Sequence, residues 1–188
     1  MTSRRAAMKT IVITLPHFWD GEARHIARLL REGDVDGVHL RKPGCNAEEL
    51  ERLIEAVPEE LRGRLVTHDH YELAMRHGLG GIHLNSRNGD VPKGWKGSVS
   101  RSCHSMEEVE EWKQRCDYVS LSPIFDSISK AGYLAAFTKE ELREARMRGV
   151  IDHKVMALGG VTFARLQEVE TMGFGGGMIL GDAWKDVY

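Results

Sequence analysis

Two apolar runs near the C-terminus, Val155-Met-Ala-Leu-Gly-Gly-Val161 and Gly177-Met-Ile-Leu-Gly-Asp-Ala183, end in glycine. Gly159, Gly160 and Gly181, with the backbone of Leu180, present amide N–H groups that no Cβ shields, and such amides can hold a phosphate. A tight turn needs the same glycines, and for a lone Gly-Gly the turn is the simpler reading. Two such ends on successive strands favour phosphate. Cations and hydroxyls recur at the ends of other apolar runs. Arg41 can grip a phosphate through two N–H groups at once, and Ser127, Ser129 and Lys130 set two hydroxyls and an ammonium on one loop, Asp126–Gly132. Taken singly, Arg41 serves equally well in a rim salt bridge, and the loop as a solvated connection. His68-Asp69-His70 offers a different chemistry. Two imidazoles around a carboxylate are metal ligands by type, and His39, His83 and His104 stand near other run ends. The pair shares a direction only while the strand continues, and Tyr71 reads as the start of a helix, so a zinc site is the weaker reading.

These residues need a frame that puts strand ends on one face. Short apolar runs alternate with amphipathic segments along the chain, the pattern of a parallel sheet with crossover helices. Strands are expected at Thr10–Leu15, Gly37–Leu40, Arg64–Thr67, Gly81–Leu84, Gly97–Arg101, Tyr118–Ser122, Lys154–Leu158 and Gly177–Leu180. Helices are expected at Gly21–Arg31, Ala47–Ala56, Tyr71–Arg76, Met106–Arg115, Lys139–Arg148 and Phe163–Met172. Asn46 and Ser105 suit N-caps, and Ser105 with Glu108 fits a capping box. The fourth unit, Asn85–Lys96, is rich in Gly, Pro and Asn and should lack a helix. Eight strands in strict alternation predict an α/β fold, a single compact (βα)8 TIM barrel with a shortened fourth unit. Residues 1–188 read as one domain, with residues 1–8 an N-terminal extension. The length is short for such a barrel, which typically takes about 250 residues, so connections must be trimmed.

A formal net charge of −2 and the lack of any Lys/Arg block argue against nucleic acid. No apolar run approaches the roughly 20 residues that span a bilayer, and no secretory leader is evident. Three cysteines without CxxC spacing fit reduced thiols. A cytoplasmic protein is expected, and its composition leaves a homo-oligomer open.

Taken together, Val38-His-Leu-Arg-Lys42, His68-Asp69, Gly81-Ile-His-Leu84, Ser102-Cys-His-Ser105, Asp117-Tyr-Val-Ser-Leu-Ser-Pro-Ile-Phe-Asp-Ser-Ile-Ser-Lys130 and Ala157-Leu-Gly-Gly-Val161 resemble the thiamine-phosphate synthase family and its relative, the thiazole tautomerase family. The resemblance spans nearly the whole chain and implies a (βα)8 barrel. It implies a transferase of thiamine biosynthesis that joins an aminopyrimidine diphosphate to a thiazole phosphate and releases pyrophosphate. By this resemblance Arg41 and Lys130 clamp the pyrophosphate and Ser102 serves the reaction. His39, Lys42, His68, Ser127 and Ser129 contact substrate, and Gly159, Gly160, Leu180 and Gly181 bind the thiazole phosphate. Mg²⁺ would be held by Asp69 and the residue at position 88. Three positions depart from the pattern. The second metal aspartate is Asn88, a neutral amide and a poorer Mg²⁺ ligand, beside which Arg87 offers a cation and Asp90 a carboxylate. The clamp lysine is displaced by one residue, as Lys42, with Pro43 in its place. The asparagine usual before the first metal aspartate is His68. The alternative is a tautomerase, or a non-catalytic or regulatory thiazole-phosphate-binding barrel. A tautomerase needs a general base; its histidine position is Pro123 here, leaving His104 or His68 to serve.

Overall fold

The computed structural model describes residues 8–126 and 134–187. Eight parallel strands follow one another around a closed barrel in chain order. They are β1 (Lys9–Ile13), β2 (Gly37–Leu40), β3 (Leu65–Thr67), β4 (Gly81–Leu84), β5 (Ser98–Cys103), β6 (Tyr118–Leu121), β7 (Val155–Ala157) and β8 (Gly176–Ile179). The helices are α1 (Glu22–Glu32), α2 (Ala47–Ala56), α3 (Glu59–Arg62), α4 (Tyr71–His77), α5 (Met106–Trp112), α6 (Lys139–Met147) and α7 (Leu166–Thr171). Tight 3₁₀ turns at Phe163–Arg165 and Gly181–Val187 precede α7 and follow β8. Each expected strand is present, with ends displaced by two residues at most. As expected, Asn85–Lys96 carries no helix. Two short segments were not foreseen, α3 and the turn after β8. Neither is long enough to show helical periodicity, and the second is anchored by Trp184, which is wholly buried.

By contact the chain divides into two compact units, Ile11–Arg101 and Ser102–Tyr188 with Met1–Thr10. In the first, Val38 sits level with Leu65 across β2 and β3, and Gly81 level with Ser98 across β4 and β5. The helices cover this sheet with apolar stripes: Ile26, Ala27 and Leu30 on α1, and Leu50, Leu53 and Ile54 on α2. Each such side chain contributes roughly 1.5–3 kcal/mol when buried, whereas a helix cap contributes about 1. Packing therefore fixes where these helices lie, and the Asn46–Glu49 capping box fixes where α2 begins. The Arg64 guanidinium ties the strands together from below by donating to the carbonyls of Leu30, Val35 and Asp36.

In the second unit Val119 sits level with Val155, and Met156 level with Gly176. Lys9 donates its amide to the Gly175 carbonyl at 2.9 Å, and Ser122 to the Cys103 carbonyl at 3.2 Å. Lys113 reaches from beyond α5 to the Gly149 and Val150 carbonyls and to Asp152. Ser105 caps α5 by accepting from the Glu108 amide, but the Glu108 carboxylate takes the His104 amide instead of closing the expected box.

Candidate functional site

In the first unit three histidines meet at the ends of β2, β3 and β4. His39 Nδ1 and His68 Nε2 are 2.9 Å apart and share a hydrogen bond, and His83 Nδ1 lies 2.9 Å from the Ser100 hydroxyl. Burial holds all three imidazoles in the neutral form. His39 and His68 titrate well below the ordinary range, desolvation being the main cause and the neighbouring rings the next. His83 is pushed down to about 3, first by burial, then by the charges of Arg101 and Arg41. Their ring nitrogens come within 4.8 Å of one another, close enough to invite a metal. The geometry speaks against one. The rings of His68 and His83 stack at 4.1 Å and 23°, so their in-plane lone pairs run side by side. Between His39 and His68 one ring donates its N–H and the other accepts, so that contact occupies one of the lone pairs a metal would need. The histidine pair read from the sequence does not converge at all. His70 takes a left-handed conformation (φ 55°) and turns its Nε2 to the Cys45 carbonyl at 2.9 Å.

Beside this cluster stands a charged triad. Asp69 accepts from Arg87 Nη2 through both oxygens, at 3.1 and 3.2 Å, and from Asn88 Nδ2 at 2.9 Å. The loop that presents Arg87 and Asn88 is tied in place by Asn85. Its amide nitrogen donates to the His68 carbonyl at 2.6 Å, and its oxygen accepts from the Arg87 and Asn88 amides. The Tyr71 hydroxyl closes the other side by donating to the carbonyls of His83 and Asn88. Burial and the Asp69 charge hold this phenol well above its ordinary pKa, so it remains a donor.

Two expected substrate contacts are corrected here. Lys42 is buried, with all three ammonium hydrogens engaged by the carbonyls of Leu15 and His17 and by Glu22 Oε1 at 2.6 Å. Its charge balances a buried carboxylate on α1 and is spent inside the fold. His39 is 0% exposed, so it can reach a ligand only through His68. Arg41, by contrast, is exposed, and its guanidinium has no partner among the described residues. Its backbone is held at both ends by the Thr14 hydroxyl.

In the second unit, Gly159 and Gly160 take left-handed conformations at φ 88° and 64° after β7. A Cβ on Gly160 would stand 2.5 Å from the Asp126 carbonyl oxygen and 2.7 Å from Phe125 Cβ. Both glycines are thus demanded by the backbone itself, so the turn reading is correct. It leaves the phosphate reading intact, since among the described residues none accepts from the amides of Gly159, Gly160 or Leu180. The Phe163 amide is already taken by the Asp182 carboxylate at 2.9 Å. Leu180 and Gly181 are exposed beside it. Ser102 accepts from the Ser120 hydroxyl at 3.3 Å. His104 is exposed, its Nδ1 3.2 Å from the Ser122 hydroxyl. Ser127, Ser129 and Lys130 lie outside the described residues. Among the described residues on either side, Ala135 donates to Asp126 Oδ1 at 2.7 Å and Ala136 to the Pro123 carbonyl.

Sequence reading missed the parts played by Asn85, Tyr71 and Arg101. An asparagine directly after a strand, three residues before a second asparagine, is a turn signal that could have flagged the first. Nothing in the sequence marks the other two.

The closed parallel barrel, with strands and helices in alternation, defines the class of (βα)8-barrel proteins. A family model described as thiamine monophosphate synthase matches residues 11–179, and the chain belongs to that family of transferases. It is 47% identical to a thiamine phosphate pyrophosphorylase from Bacteroides thetaiotaomicron, over 95% of this chain and 85% of that one, with a TM-score of 0.84. A thiamine-phosphate synthase from Photorhabdus laumondii is 27% identical over 80% of this chain and 73% of that protein. One from Listeria welshimeri is 30% identical, and that match spans 59% of this chain and 56% of the Listeria protein. The pyrophosphorylase from Pyrococcus furiosus shares the fold, at 20% identity and a TM-score of 0.73. No helix is long and apolar enough to cross a membrane among the described residues.

Proposed function

We propose that this chain is a thiamine-phosphate synthase, joining an aminopyrimidine diphosphate to a thiazole phosphate. The observation that carries the reading is the 47% identity to the Bacteroides pyrophosphorylase across nearly the whole chain. The thiazole nitrogen lends its lone pair to the methylene carbon of the pyrimidine, the carbon–oxygen bond to the diphosphate breaks, and pyrophosphate departs with the bonding electrons. The barrier lies in separating an anion from a carbocation-like centre, so the main catalytic task is to stabilise the leaving charge. Arg41 and Arg87 supply that in the first unit. His68, neutral and slightly exposed, offers the pyrimidine a hydrogen-bonding edge without taking a proton from it. In the second unit, the amides of Gly159, Gly160, Leu180 and Gly181 bind the phosphate monoester. Ser102, Ser127 and Ser129 are assigned as hydroxyl contacts to substrate. Both precursors are phosphorylated and cross membranes poorly, which supports a cytoplasmic reaction, in the compartment that makes them. The relatives by sequence carry the synthase name, and this favours the synthase over the tautomerase.

The Mg²⁺ implied by the family does not fit the donors of this chain. Of the two carboxylates expected, one is the amide of Asn88 and the other, Asp69, already faces a guanidinium. No step is therefore assigned to a metal.

Incubation with both precursors should yield thiamine phosphate and pyrophosphate in equal amounts. Failure to form either product, with and without added divalent cations, would overturn the assignment. Titration with inorganic phosphate should shift the amide resonances of Gly160 and Leu180 in NMR spectra. Unmoved resonances at saturating phosphate would remove the cradle from these strand ends.

A further inference from the structure

We propose that the Arg87 guanidinium takes the place and the electrostatic role of a divalent cation, so that this chain binds diphosphate without a metal. The inference rests on the synthase reading for the nature of the ligand. Its geometry stands independently, in four observations.

First, both Asp69 oxygens are engaged by the same nitrogen, Arg87 Nη2, at 3.1 and 3.2 Å, on the side of the carboxylate where a cation would bind. Second, Asn88 turns its NH₂ group toward Asp69 at 2.9 Å. The opposite amide orientation would set a carbonyl oxygen against a carboxylate, so this one is dictated by charge. With the NH₂ turned to the carboxylate, the Asn88 carbonyl cannot share a metal with it. Asp69 and Asn88 are thereby partners of each other and not joint ligands of a third party. Third, the arrangement is held by the chain's own hydrogen bonds. Asn85 makes three hydrogen bonds across the base of the loop, and Tyr71 makes two. Fourth, the Arg87 side chain is 60% exposed while Asp69 is 16% exposed. One guanidinium nitrogen, Nη2, is anchored, and the side chain as a whole is largely exposed. Guanidinium is planar, permanently charged and matched to two phosphate oxygens at once. Asp69 then serves as a positioning residue that orients Arg87. Arg41, exposed and without a described partner, adds a second such cation in the same unit.

Calorimetric titration with inorganic pyrophosphate tests this directly, once in EDTA and once in excess Mg²⁺. The wild type is expected to bind in EDTA at least as tightly as in Mg²⁺. Arg87→Gln, at an exposed position that leaves the barrel intact, should lose roughly 10- to 100-fold in EDTA. Asp69→Asn, which frees Arg87 from its anchor while keeping its charge, should lose less than Arg87→Gln. The double change Arg87→Ala with Asn88→Asp restores a carboxylate pair and should make pyrophosphate binding depend on Mg²⁺. Binding by the wild type only when Mg²⁺ is present would overturn the proposal. So would undiminished binding by Arg87→Gln in EDTA. Turnover of the two precursors is scored separately. Metal-free pyrophosphate binding without thiamine phosphate formation would sink the synthase reading alone, and turnover with strictly Mg²⁺-dependent pyrophosphate binding would sink this inference alone.

Discussion

Removing the Lys42 ammonium would leave the Glu22 carboxylate in the interior without its counter-charge, since the two side chains are 1% and 2% exposed. Glu22 Oε2 already lacks a hydrogen bond among the described residues. Burial lowers the pKa of Lys42 and raises that of Glu22, so each ion depends on the other to stay charged. Lys42→Met should destabilise the fold by about 3–5 kcal/mol in urea denaturation, and adding Glu22→Leu should recover much of the loss. If the double variant is no more stable than Lys42→Met, the pair is not coupled in this way. At Gly160 the expectation concerns backbone. Gly160→Val should cost about 1–3 kcal/mol, because its Cβ meets the Asp126 and Phe125 backbone and its φ is left-handed. Thermal unfolding measures this, and an unchanged midpoint would contradict the contact. For the same reason that variant cannot report on phosphate binding alone. From sequence the positions of the glycines, Arg41 and Asp69 at strand ends were legible, since they follow from the apolar spacing of the strands, whereas the Asp69–Arg87 pairing was not. The roles of Lys42 and His39 were not, because burial is decided by packing partners 20 or more residues away.

At the scale of elements, the loop after β4 shows how a barrel unit without a helix is kept in order. An Asn85 side chain that bonds the amides two and three residues onward replaces the first turn of a helix. Asn85→Ala should weaken pyrophosphate binding several-fold while changing the unfolding midpoint little, because Arg87 loses its support and the core loses nothing. Equal pyrophosphate affinity in that variant would show that the loop is held by other means. Tyr71→Phe removes the donor shared by the His83 and Asn88 carbonyls and should cost about 1–2 kcal/mol in stability. The shortened unit was legible from its Gly, Pro and Asn content. Strand and helix cores were legible from apolar spacing, as in the buried stripe of α2. The fit of loop to strand was not, since Tyr71 reads in sequence as one more apolar helix residue.

For the molecule as a whole, the three buried imidazoles set its response to acid. In the unfolded chain they accept protons near pH 6.5, whereas in the folded protein they stay neutral to far lower pH, about 3 for His83. Stability is therefore full above pH 6.5 and declines as pH falls below it, because the unfolded chain binds the additional protons. Each histidine contributes a slope of up to about 1.4 kcal/mol per pH unit. Urea midpoints measured from pH 7 to about 4 should fall steeply, and His83→Gln should make the decline shallower. A profile equally steep in that variant would remove His83 from the account. Lys42 has one more consequence, for chemical labelling. An ammonium whose three hydrogens all point to carbonyls and a carboxylate is invisible to acylating reagents in the native protein. Its peptide should stay unmodified while the surface lysines react, and should gain the tag only at the rate at which residues 11–101 open. Lys42 is thus an internal clock, readable by mass spectrometry, for how often that half of the chain comes apart.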